Sequence, residues 1–105
     1  MGLEIDVSPQ DLQTLQAFLE QYLPHMRVWA FGSRVKFTAN PASDLDLAAF
    51  ISPKQESQFS LLKDALDEST IPFRVDLHNW HELPEIFHET IRSNYVEIQR
   101  DKKTC

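Results

Sequence analysis

Glycine occurs only twice in this 105-residue chain, at Gly2 and Gly32, and cysteine once, at Cys105. A single thiol cannot close an internal disulfide, so the fold must rest on burial and hydrogen bonding, and a reducing compartment suits it. Cys105 reads as a spare terminal thiol. No apolar run approaches the ~20 residues of a membrane-spanning helix. The start, Met1-Gly2-Leu3-Glu4, lacks the basic and apolar regions of a secretory signal, so a cytoplasmic location without membrane contact is expected. Positive charge is scarce: ten Lys and Arg face sixteen Asp and Glu, for a formal net charge of −6. That balance argues against broad binding to a phosphate backbone and makes nucleic acid an unlikely partner on charge grounds. Arg34 and Lys36 form one local basic cluster, and Arg100, Lys102 and Lys103 form a tail that reads as solvated. With no repeats, low-complexity tracts or linkers, residues 1–105 read as one domain. It is too short for a separate substrate domain, so any acceptor surface must be small or supplied by a partner.

Hydrophobic spacing predicts the elements. Ser8-Pro9-Gln10-Asp11 reads as a capped helix start, followed by Leu12, Leu15, Phe18, Leu19, Tyr22 and Leu23 at helical spacing until Pro24. Arg27 to Phe31 is a short apolar run and reads as a buried strand; Gly32 closes it, and a short helix is expected over Ser33 to Phe37. After a turn-rich stretch, Leu45 to Ile51 reads as a second strand. Ser52-Pro53-Lys54-Gln55 carries a capping box for a helix whose buried face is Phe59, Leu62, Ala65 and Leu66. Phe73 to His78 alternates as a third strand, with Arg74, Asp76 and His78 on one side. A last helix is expected over Pro84 to Ser93 with Ile86, Phe87 and Ile91 inward, and an ordered segment through Tyr95, Val96 and Ile98 after it. This order predicts an α/β (α+β) domain, a small mixed sheet flanked by helices.

The chemistry concentrates in Phe31-Gly32-Ser33 and, after a gap of ten residues, Asp44-Leu45-Asp46-Leu47. Two acids two apart on a strand share one face, and carboxylates that close repel unless a cation joins them. Oxygen ligands without cysteine suit Mg²⁺, with Mn²⁺ as the other candidate. Asp76 is a third acid on a strand face able to converge with Asp44 and Asp46, and three carboxylates are enough for two-metal phosphoryl or nucleotidyl transfer. Gly32 permits close backbone approach to a phosphate, and Ser33 offers a hydroxyl and an N–H at a helix start. Arg34 adds positive charge beside them, and Ser43 orders the turn into Asp44. His78 and His81 have zinc-like spacing, but a histidine–zinc site is the less favoured reading. Trp29 is expected in the core; for Trp80, a pocket wall and simple packing stand even.

Gly32-Ser33-Arg34, the spacing to Ser43-Asp44-Leu45-Asp46-Leu47, and the later Asp76 resemble the minimal nucleotidyltransferase family, which has the fold of DNA polymerase β. The resemblance implies that Asp44, Asp46 and Asp76 hold two Mg²⁺ ions and form the catalytic set. It also implies that Gly32, Ser33, Arg34 and Ser43 bind ATP or another nucleoside triphosphate. Small members of this kind are antitoxins paired with helical HEPN-domain toxins, to which they transfer AMP at a tyrosine hydroxyl. A HEPN-domain partner in a hetero-oligomer is therefore the implied acceptor. Phe37 departs from the pattern, standing where the family has a second glycine, and this bears on loop shape and turnover. Two other readings remain: a binding module that neutralises its partner by occlusion, and a metal-dependent nuclease, which has no need of the Gly-Ser cradle.

Overall fold

Ser8 caps the first helix as its sequence predicts, its hydroxyl accepting from the Asp11 N–H at 3.1 Å, and Pro9 opens helix α1 (Pro9–Tyr22). The computed structural model describes residues 4–40 and 42–101; Cys105, Lys102 and Lys103 lie outside them. Strand β1 (Val28–Phe31) runs into a single helical turn α2 (Ser33–Lys36), and β2 (Leu45–Ala49) returns antiparallel to β1. The Ser52–Gln55 capping box forms and starts a 3₁₀ turn that leads into α3 (Glu56–Asp67). Helix α3 carries the chain across to β3 (Val75–Asn79), parallel to β2, as such a connection requires. Helix α4 (Glu85–Ser93) precedes β4 (Val96–Gln99), and the sheet order is β3-β2-β1-β4.

Period-two alternation divides the sheet into two faces. Val28, Ala30, Leu45, Leu47, Ala49, Val75, Leu77 and Ile98 face α1 and α3, where Leu15, Leu19, Leu23, Leu62 and Leu66 close the larger core. On the other face a smaller aromatic cluster gathers Trp29, Trp80, Ala48 and Ile91, with Phe31, Phe50 and Leu83 against it. Trp29 stacks on Tyr95 at 3.8 Å and donates to Glu97 at 3.2 Å. Trp80 is buried, stacked on His88 at 4.0 Å and on Phe50 at 4.6 Å, so packing is its role.

Some boundaries and faces differ from expectation. Strand β2 stops at Ala49 and β3 starts at Val75 rather than Phe73. The segment after α4 is a full edge strand, β4, paired antiparallel with β1. Ile86 and Phe87 do not turn inward: they are 71% and 50% exposed, and Ile91 is the buried residue of α4. Periodicity shows which residues share a face, but the small aromatic cluster does not extend far enough to cover the whole stripe.

Candidate active site

The β1–β2–β3 register assembles the acids. Phe31 pairs with Asp46, and Asp46 pairs directly with Asp76 across the parallel β2–β3 ladder. Residues opposite one another on neighbouring strands point to the same side. Asp46, Asp76 and His78 therefore share the face that carries the aromatic cluster. One ligand atom from each lies within 4.8 Å of the others. His78 Nε2 is 3.2 Å from Asp76 Oδ2.

Gly32 occupies the gap next to this group. It holds φ +88° and ψ −157°, a conformation nearly confined to glycine. A Cβ there would stand 2.5 Å from Asp46 Oδ2, so the carboxylate fills the space that a side chain would need. The close backbone approach expected at Gly32 thus serves first to seat Asp46. Burial, followed by the charge of Asp76, raises the pKa of Asp46; His78 opposes the shift and Asp44 adds to it. Among the described residues no hydrogen-bond donor serves the Asp46 carboxylate. A half-buried acid beside another acid, without a donor of its own, has the donor chemistry that a hard divalent cation satisfies.

The remaining predicted site residues are distributed differently. Asp44 precedes β2, and its carboxylate is 4.0 Å from the Arg74 guanidinium, outside the tight Asp46–Asp76–His78 group. Ser33 is the first residue of α2, next to Gly32. Arg34 was expected at the nucleotide, but the residue is only 6% exposed. It donates to the Asp6 carbonyl at 2.8 Å and to the Ser43 carbonyl at 2.9 and 3.1 Å, and lies 4.1 Å over the Phe73 ring. Arg34 and Ser43 therefore meet as a buried tie between α2 and the mouth of β2. Phe37 takes a left-handed conformation, φ 58° and ψ 35°, as the C-cap of α2. It reproduces the turn for which glycine is the usual residue.

His78 is the member of the group that lies outside the three-carboxylate set expected from the sequence. Its place two residues after Asp76 on one strand face was legible. The parallel register that brings Asp46 to the same point was not. His81 is exposed and does not belong to the group.

A polymerase β-type palm, with acids on adjacent strands under a Gly-Ser turn, is the class that this fold and site define. Residues 13–103 match the family described as "Polymerase beta, Nucleotidyltransferase", and the chain belongs to it. It is accordingly a nucleotidyltransferase. It is 43% identical over 102 residues to "Probable protein adenylyltransferase MntA" of Haemophilus influenzae, a match covering 96% of this chain and 90% of that protein. Its fold is also that of a chain in the "Crystal structure of the toxin-antitoxin with AMP-PNP", with a TM-score of 0.61 and 18% identity over 87% of this chain and 74% of that one.

Proposed function

We propose that this protein transfers AMP from ATP to a tyrosine hydroxyl of a HEPN-domain toxin, with which it forms a toxin–antitoxin pair in the cytoplasm. The observation that carries the chemistry is the pairing of Asp46 with Asp76 against a Gly32 that has no room for a Cβ. The choice of AMP and of a protein acceptor is supported by the name of the MntA relative, which spans nearly the same length. The HEPN partner and the tyrosine rest on the family resemblance of the Gly32-Ser33 and Asp44-Leu45-Asp46 motifs.

In this reading Asp44, Asp46 and Asp76 hold the divalent cations, Mg²⁺ in the first instance. When bound, such ions supply charge neutralisation for the attacking and leaving oxygens. The tyrosine oxygen attacks the α-phosphorus, the bond from that phosphorus to the bridging oxygen breaks, and pyrophosphate leaves. Asp76, on the acceptor side, takes the hydroxyl proton. Gly32 keeps the backbone low enough for the triphosphate to approach, and the Ser33 hydroxyl and N–H bind its oxygens. Arg34 acts indirectly, by holding the Ser43 carbonyl and hence the start of β2 in place. The occlusion-only alternative drew its support from Phe37, and that support weakens because Phe37 adopts the left-handed turn.

The test combines the chain, its candidate helical toxin, Mg²⁺ and α-labelled ATP. Label on the toxin that disappears with Asp46→Asn, and with Tyr→Phe in the toxin, supports transfer. Toxin neutralisation without label, equal for wild type and Asp46→Asn, would replace this reading with occlusion.

A further inference from the structure

We propose that His78 is a nitrogen ligand of the cation held on the Asp76 side of the site, so that this centre prefers Mn²⁺ to Mg²⁺. The inference rests on the cation-dependent reading above and adds a residue and an ion preference to it. Three carboxylates were the expected ligand set, but the tight group in the structure is two carboxylates and one imidazole, Asp46, Asp76 and His78. Asp44 lies outside that group, 4.0 Å from Arg74.

The spacing of His78 and Asp76 fits two neighbouring positions on one ion. With bonds of about 2.1 Å, neighbouring ligand atoms on an octahedral ion lie about 3 Å apart and opposite ones about 4.2 Å apart. His78 Nε2 and Asp76 Oδ2 are 3.2 Å apart, and Asp46 joins them in a group in which one ligand atom from each residue lies within 4.8 Å of the others. The Phe31 ring lies beside the imidazole, with the two ring centroids 5.9 Å apart. Asp46 and Asp76 already match the charge of a divalent ion, so a neutral imidazole adds affinity without adding charge. That nitrogen discriminates between ions. Mg²⁺ prefers oxygen ligands and sheds water reluctantly, whereas Mn²⁺ accepts carboxylate and imidazole together.

Direct ligation has a spectroscopic signature that a hydrogen bond from His78 to Asp76 lacks. The full chain is stripped with chelator, loaded with Mn²⁺ and measured by pulsed electron paramagnetic resonance, with unlabelled and with ¹⁵N-histidine protein. Nitrogen modulation that changes with the label, and disappears in His78→Ala, is the expected result. Titrations should show Mn²⁺ binding tighter than Mg²⁺ by about tenfold or more in wild type. His78→Ala and His78→Gln should each lose most of that preference, with Mg²⁺ affinity changed only a few-fold. Glutamine retains a hydrogen-bond donor for Asp76 and offers no ring nitrogen, and melting in chelator verifies that both variants fold. A wild type that binds Mn²⁺ with no histidine modulation, or a His78→Gln that keeps the full Mn²⁺ preference, overturns the ligand role and leaves the nucleotidyl-transfer reading intact. A wild type that binds neither ion, even with ATP present, overturns both.

Discussion

Substituting Gly32 by alanine tests the packing of the site more directly than removing an acid. The residue holds φ +88° and ψ −157°, and a side chain in that region costs roughly 1–3 kcal/mol. A second effect adds to the first: the new Cβ would meet Asp46 Oδ2 at 2.5 Å, well inside ordinary contact. The carboxylate is the end of a flexible side chain, so it will turn away by about 1 Å at little further energetic cost, and a displacement of that size can lower a rate about 10²-fold. Gly32→Ala is therefore expected to lose about 2 kcal/mol of stability and to melt on the order of 10 °C lower. It should also lose most of its turnover and of the rise in Tm that divalent cation gives wild type. Thermal melts with chelator and with Mg²⁺ or Mn²⁺, combined with transfer from labelled ATP, read both effects. A variant that melts within about 2 °C of wild type and keeps its cation response would refute the idea that the close Gly32–Asp46 approach seats the carboxylate.

Phe37→Gly should act in the opposite direction. The left-handed conformation at φ 58° costs a non-glycine residue about 1–2 kcal/mol, glycine's greater unfolded-state freedom returns about 0.5–1, and Phe37 is 60% exposed. A rise in Tm of a few degrees is expected, and a fall would count against it. Asp46→Asn should abolish transfer yet raise the Tm of the cation-free protein at neutral pH, because it removes a half-buried charge beside Asp76. Since burial raises the pKa of Asp46, the native chain binds more protons than the unfolded one between the ordinary carboxylate value and the raised one. The Asp46 contribution to cation-free stability is thus greatest below that window and is lost as pH rises through it. Melts across pH 3–7 for wild type and Asp46→Asn would show the difference narrowing towards acid. Arg34→Met should cost about 3 kcal/mol by leaving the Asp6 and Ser43 carbonyls unpaired. Lys36→Ala, at an exposed position, should stay within about 0.5 kcal/mol in the same denaturant titration.

Much of the architecture was legible because local chemistry specified it. Ser8 and the Ser52–Gln55 pair marked helix starts, and the alternation in Leu45-Asp46-Leu47 and in Val75-Asp76-Leu77 marked strands and their buried sides. Strand β4 was less legible, since Val96 and Ile98 alone do not distinguish an edge strand from a packed tail. The exposure of Ile86 and Phe87 was not legible at all, because it depends on how far the opposite sheet face extends.

The sequence by itself determined which residues could take part: two acids with a shared face at Asp44 and Asp46, a third at Asp76, and a lone interior glycine at Gly32. Only the tertiary structure decided which of them meet. Parallel pairing of β2 with β3 sets Asp46 opposite Asp76 and brings His78 into the group, while Asp44 lies towards Arg74 and Arg34 is buried as a tie. The physical reason is that side-chain alternation is a property of one strand, read from a few neighbouring residues. Register between strands is set by the packing of α3 and both cores across the whole sheet.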